Sequence, residues 1–197
     1  MNKCLKTSTF STIVIMAGGK SSRMQRDKAL LPFKGYSSLA EYQCERYKDD
    51  FLEVYISAKN NKFDFDVDII EDFCVDSSPL VGIVSIFETL NVDEVFILSV
   101  DSPFVDKEVV EKIYREAKND SDVVIAYSFN GLEPLCGIYR KSVLKSAKGF
   151  LAQNRHRLQS LLEVVDTQKV FFEESHYFMN LNYPKDYEEA IKSSSNI

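Results

Sequence analysis

The sequence lacks a C-x-x-C pair: its four cysteines, Cys4, Cys44, Cys74 and Cys136, stand far apart. Neither a zinc site nor a disulfide framework is signalled, and reduced thiols in a cytoplasmic protein are the expectation. No Pro/Gly/Ser-rich linker and no fixed-period repeat divides the 197 residues, of which 45% are apolar, enough for one sizeable core. A single domain over 1–197 is therefore expected, with a leader, 1–11, and a tail, 193–197, that fray. No apolar run is long enough for a membrane helix. The N-terminal "MNKCLKTSTFSTIVIMAGG" carries Lys3 and Lys6 before an apolar segment, yet Ser8, Thr9, Ser11 and Thr12 interrupt it. Its apolar core is about five residues, against the roughly 7 to 15 of a signal peptide. There is no basic excess either. A net charge of −6 argues against nonspecific binding to nucleic acid or anionic lipid, so an anionic ligand must meet cations that are concentrated locally.

What is present is an alternation. Ile13 to Met16 is a β-branched run ending in a glycine pair, which predicts a buried strand entering a turn. "SSLAEYQCERYKDDF" predicts an amphipathic helix through Leu39, Tyr42 and Tyr47, and "EVYISA", Glu53 to Ala58, a second strand. "VDII", "EVFILSV" and "DVVIAY" predict further strands, separated by helices over "LVGIVSIFETL" and "DKEVVEKIYREAKN". Strand–helix alternation of this kind predicts an α/β fold, a mostly parallel mixed sheet with helices on both faces. After Tyr127 the rhythm loosens: "LCGIY" reads as a strand, "RHRLQSLLEVV" as a helix, "KVFFEE" and "HYFMNL" as strands, and "PKDYEEAIKSS" as a closing helix with Pro184 in its first turn.

Ligands of open α/β sheets sit beyond the carboxyl ends of strands, where glycine loops bring backbone N–H groups to phosphate oxygens. The stretch "MAGGKSSRMQRDKALLPF" occupies such a place, with Gly18 and Gly19 allowing close approach and Lys20, Arg23, Arg26 and Lys28 supplying charge. Its "GKS" is a decoy for a Walker A loop, because the required first glycine falls on Val14; G-x-G-x-x-G fails too. A phosphate cradle and a solvated basic turn both remain open. In "VFILSVDSPFV", Asp101 ends a buried strand, where a free carboxylate suits Mg²⁺ or caps the turn before Pro103. In "IIEDFCVDSSPLVG", Asp72 follows a strand, and Ser78 with Pro79 reads as a helix start. Asn180 and Asn182 in "FMNLNYPKDY" share one side of an expected strand, able to read a polar ligand or to tie down a turn. His156 and His176 adjoin none of these motifs and read as surface or packing residues.

Taken in order, "MAGGKSSRMQRDKALLPF", "EDFCVDSSPLVG", "VDSPFV" and "NLNYPKDY" resemble the motifs of the molybdenum cofactor guanylyltransferases, from about Ile13 to Ile191. The resemblance implies a Rossmann-like nucleotidyltransferase fold and transfer of GMP from GTP to the phosphate of molybdopterin, releasing pyrophosphate. It implies that Met16, Ala17, Gly18 and Gly19 hold the nucleotide, with Asp72 and Asp101, that Lys28 meets the phosphates, and that Arg23 and Lys28 neutralise the departing pyrophosphate. It further implies Mg²⁺ on Asp101, the pterin acceptor beside Asn180 and Asn182, and molybdoenzymes or their chaperones as recipients of the product. Four positions depart from the family pattern: Met16 for Leu, Gln25 for Gly, Ser57 for Asn, and Glu133 for the His before the proline of "LEPLCGIY". A cytidylyltransferase or sugar-phosphate nucleotidyltransferase on the same fold and a noncatalytic GTP-binding module are the rival readings.

Overall fold

A computed structural model describes residues 9–18, 26–74 and 78–194. Its strands are β1 (Phe10–Met16), β2 (Phe51–Ala58), β3 (Asp68–Glu71), β4 (Glu94–Ser99), β5 (Val123–Ser128), β6 (Gly131–Arg140) and β7 (Thr167–Phe172). The helices are α1 (Leu39–Tyr47), α2 (Pro79–Thr89), α3 (Lys107–Glu116), α4 (Leu144–Ala152), α5 (Leu158–Leu162) and α6 (Pro184–Ser194). One seven-stranded sheet runs in the order β3-β2-β1-β4-β6-β5-β7. β6 pairs antiparallel with β4 and β5, and every other ladder is parallel. Seven parallel or mixed strands with helices on both faces is the expected architecture.

The two-residue side-chain period of the strands builds two cores. Ile13 and Ile15 of β1, Phe96 and Leu98 of β4 and Val124 of β5 face one layer with Leu39, Val109 and Ala190 of α1, α3 and α6. Val14, Met16, Val95, Ile97 and Val123 face the other, with Leu80, Ala147 and Leu161 of α2, α4 and α5. Successive strands β1, β2 and β3 step one way and β4 returns to the other side of β1, so a topological switch point opens between the carboxyl ends of β1 and β4, where Met16 pairs with Ser99. α2 rests on this end of the sheet. A Cβ on Gly82 would lie 2.5 Å from Met16 Cε and 3.1 Å from Ser57 Oγ, so glycine lets the first turn of α2 sit against β1 and β2 with the flexible end of Met16 folded beneath it. Ser78 caps α2 by accepting from Val81 N–H, with Pro79 at the first position as expected.

Several expectations need correction. β1 begins at Phe10 and α6 continues to Ser194, so Phe10 and Ser11 of the expected leader and Ser193 and Ser194 of the expected tail belong to regular elements, while residues 1–8 and 195–197 lie outside the described residues. α4 is absent from the sequence reading, because Gly149 lowers helix propensity and only Ala147 and Phe150 are buried; packing on α2, with a Lys148–Glu88 ion pair, holds it. The helix expected over 155–165 is the short α5. "HYFMNL" forms a 3-10 turn, Ser175–Phe178, and an irregular run, not a strand: Phe178 and Leu181 are core anchors of a crossing segment. His156 bonds Ser78 Oγ and Asn154 Oδ1.

Candidate active site at the switch point

Lys28 opens a 3-10 turn, Lys28–Leu30, whose cap Asp27 accepts from Ala29 N–H at 3.1 Å. From there the Lys28 ammonium donates to Asp101 Oδ2 and to Asn182 Oδ1, both at 2.9 Å. The Ser99 hydroxyl donates to the other carboxylate oxygen, Asp101 Oδ1, at 2.6 Å. Side-chain exposures of 14% and 21% for Lys28 and Asp101 put this pair in a crevice, neither in the core nor on the open surface. Asp101 does not cap the following helix. That task belongs to Asp106, which accepts from Val109 N–H, while the turn after β4 closes through Ser102 N–H on Ser99 C=O.

The glycine loop is anchored at both described ends. Ala17 N–H donates to Ser57 C=O at 2.8 Å, and Lys62 donates to Ala17 C=O at 3.1 Å and to the Asp27 carboxylate. Met16 turns its side chain into the core against Gly82, and its carbonyl accepts from Val100 N–H. Gly18 is exposed at the mouth. Gly19, Lys20, Arg23 and Gln25 lie outside the described residues.

Asn180 and Asn182 reach the same place from a tight turn. Asn182 N–H donates to Asn180 C=O and to Asp186, and Leu181 N–H donates to Asp101 C=O at 2.9 Å, so the segment lies across the end of β4. Asn180 Oδ1 accepts from Ser102 Oγ at 2.6 Å. Partial burial first, and the Asp101 charge second, push the Glu133 carboxyl up to about 7 from its ordinary 4.5, against the polar Asn180 side chain, which lowers it. Asp72 stands at the end of β3, half-buried, its N–H on Ala58 C=O, and burial raises its carboxyl against the pull of Lys59. Three strand spacings, about 14 Å, separate β3 from β4, so Asp72 and Asp101 stand well apart along the carboxyl edge of the sheet.

A raised carboxyl stabilises the fold only while it holds its proton. For Glu133 that contribution is complete below about 4.5 and disappears as the pH rises through about 7. Because the Glu133 side chain is only partly buried, which screens the effect, Glu133→Gln should gain about 1 to 2 kcal/mol over the natural protein on going from pH 5 to pH 8. Urea unfolding of both proteins in EDTA at the two pH values measures the difference; parallel curves would show an unperturbed carboxyl.

Of the residues singled out in the sequence, the fold brings Lys28, Asp101, Asn180 and Asn182 together and sets Asp72 apart. Lys62, Ser99 and Ser102 were not legible: a lysine in a loop and serines at strand ends carry no signal until pairing places them. Glu133 was visible only as a departure from a family pattern.

Residues 13–170 match the family model described as a MobA-like NTP transferase domain. A molybdenum cofactor guanylyltransferase of Campylobacter jejuni is 35% identical over 178 residues, covering 89% of this chain and 93% of the relative. One of Helicobacter pylori is 35% identical over 185 residues, covering 91% and 90%. Among solved structures, the molybdopterin-guanine dinucleotide biosynthesis protein A of Archaeoglobus fulgidus superposes with a TM-score of 0.82 at 21% identity, over 95% of this chain and 100% of that one.

Proposed function

The chain belongs to the MobA-like NTP transferase family, and from that premise we propose that it transfers GMP from GTP to the phosphate of molybdopterin, releasing pyrophosphate. The observation that carries the reading is the Lys28 bridge, one cation tying the strand-end carboxylate Asp101 to the acceptor-side turn at Asn182. An oxygen of the acceptor phosphate attacks the α-phosphorus of GTP. A P–O bond forms there as the bond to the pyrophosphate oxygen breaks, and pyrophosphate leaves with the electron pair. No protein nucleophile is needed, so positioning and charge neutralisation are the protein's tasks.

In this scheme the main chain of Ala17, Gly18 and Gly19 approaches the phosphates, with Met16 fixing the loop's root, and Asp72 holds the nucleoside end. Lys28 and Arg23 neutralise the departing pyrophosphate. Asn180 and Asn182 face the acceptor. Among the described residues no group of three or more His, Cys, Asp or Glu forms a cage. The carboxylate oxygens of Asp101 instead suit Mg²⁺, a hard ion commonly held by one or two carboxylates and shared with substrate phosphates. Asp101 would hold it, and the ion would supply positive charge to the reacting phosphoryl oxygens. Among the described residues no helix is long and apolar enough to cross a membrane, and we place the protein in the cytoplasm, where its product passes to molybdoenzymes or their chaperones.

Pyrophosphate release from each of the four nucleoside triphosphates, with Mg²⁺ and molybdopterin, tests the reading. GTP should exceed CTP in kcat/KM by at least about tenfold, because the wrong base leaves buried polar groups unpaired, a cost on the order of 1 to 3 kcal/mol. Equal values would favour a cytidylyltransferase-like or indiscriminate enzyme on this fold. GTP binding without release under any acceptor would leave a binding module.

A further inference from the structure

Lys62 lies in the connection between β2 and β3, where its neighbours fix the chain. Asn61 Oδ1 accepts from Phe63 N–H at 3.1 Å, a turn built on one side chain, and the buried Phe63 ring packs edge-on against Phe65 at 5.7 Å between centroids. From this seat Lys62 donates to two groups, 45 and 35 positions earlier in the chain: Ala17 C=O at 3.1 Å and the Asp27 carboxylate. Those residues flank the glycine loop, Ala17 directly after β1 and Asp27 as the cap of the 3-10 turn that carries Lys28.

Each contact fixes a different group. In a trans peptide the C=O and the next N–H point to opposite sides. With Ala17 C=O drawn to Lys62, Gly18 N–H is therefore turned away from the lysine, while Ala17 N–H on Ser57 C=O keeps the root of the loop in the sheet. Asp27 uses its two oxygens separately, Oδ1 accepting from Ala29 N–H at 3.1 Å and Oδ2 from Lys62. One carboxylate thus caps the turn and meets the lysine, and Lys28 leaves that turn to reach Asp101 and Asn182.

We propose that Lys62 is a positioning residue for the nucleotide: by tying Ala17 C=O to the Asp27 carboxylate it aims Gly18 N–H at the triphosphate and keeps the Lys28 turn in step with it. The proposal rests on the guanylyl-transfer reading for the identity of that ligand, while the orientation of the Ala17–Gly18 peptide stands apart from it. Lys62 itself makes no contact with phosphate in this arrangement; its ammonium serves the carbonyl and the carboxylate.

Three variants test the role. Lys62→Met removes the tie and a positive charge; Asp27→Asn removes the acceptor for Lys62 and a negative charge, while its amide oxygen can still cap the turn. Long-range attraction for a polyanion would move GTP affinity in opposite directions in these two. Calorimetric titration with GTP and Mg²⁺ should instead show weaker binding in both, about tenfold in Lys62→Met and about threefold or more in Asp27→Asn, with Lys62→Arg within about threefold of the natural protein. The KM for GTP should rise in parallel while that for molybdopterin stays within about twofold, whereas a residue that merely supported the fold would move both. GTP binding in Asp27→Asn as tight as in the natural protein, or tighter, would give Lys62 a direct hold on phosphate and overturn the proposal, as would unchanged binding in Lys62→Met. The Gly18 amide signal of the nucleotide-free protein gives a readout without ligand. It should shift in Lys62→Met and stay near its natural position in Lys62→Arg; an unchanged signal in Lys62→Met overturns the positioning. If the natural protein transfers nothing from GTP, the functional reading falls, and the Gly18 signal still decides whether Lys62 sets the peptide.

Discussion

Asp101→Asn is expected to lower guanylyl transfer by about a hundredfold or more, the scale on which a single preorganised electrostatic group acts, while leaving the fold in place. Asn matches Asp in size and in turn-forming ability, so if Asp101 served only the turn before Pro103 the variant would keep its activity. The structure already separates these roles. The turn closes through main-chain groups and the next helix is capped by Asp106, whereas both Asp101 oxygens point to donors, Ser99 Oγ and Lys28 Nζ. An amide can offer its oxygen to Lys28 and its nitrogen to Ser99, whose hydroxyl then accepts, so the loss of stability should be about 1 kcal/mol. Asn182 continues to hold Lys28. Rates at saturating Mg²⁺ and thermal unfolding of the same samples measure the two effects. A folded variant with more than half of the natural rate would remove Asp101 from metal binding.

Lys28→Ala should act on binding and chemistry together, lowering kcat/KM for GTP by about a hundredfold and weakening GTP binding by about tenfold. Its ammonium would meet phosphate oxygens both in the bound nucleotide and in the transition state, so a loss confined to either would not fit. The variant also leaves Asp101 in the crevice without its 2.9 Å ion-pair partner and frees Asn182 from the bridge, and about 1 to 3 kcal/mol of stability should go with them. Lys28→Arg keeps the charge but offers a planar fork in place of a point donor, and should recover stability better than rate. Calorimetric titration with GTP and pyrophosphate release separate binding from turnover. Transfer within about threefold of the natural protein in Lys28→Ala would reduce the bridge to a structural contact.

Strand β1, the cap of α2 at Ser78 and the alternation that makes two cores were legible in the sequence. Each depends on local chemistry: β-branched runs, Ser followed by Pro, and apolar residues in a period of two. Asp101 was legible as a carboxylate at the end of a buried strand, but its alternatives, metal ligand or turn cap, had the same local signature. Its contacts with Lys28, 73 positions earlier in the chain, and with Ser99 carry no local signal at all.

Sequence alone determined that an α/β sheet would carry a cation-rich glycine loop at a strand end, because periodicity and turn chemistry act over a few residues. Tertiary structure decided which of those residues meet. α4 exists because α2 gives its weak apolar face a partner, and Asn180 and Asn182 share the crevice through a tight turn anchored by Leu181, not through the expected strand period. The register of β6 against β5 shifts by a bulge, opposite which Glu133 stands, that no pattern of apolar residues announces. Contacts of this kind depend on strand order and register, which are set by burial summed over the whole sheet, and no short stretch of the chain contains that sum.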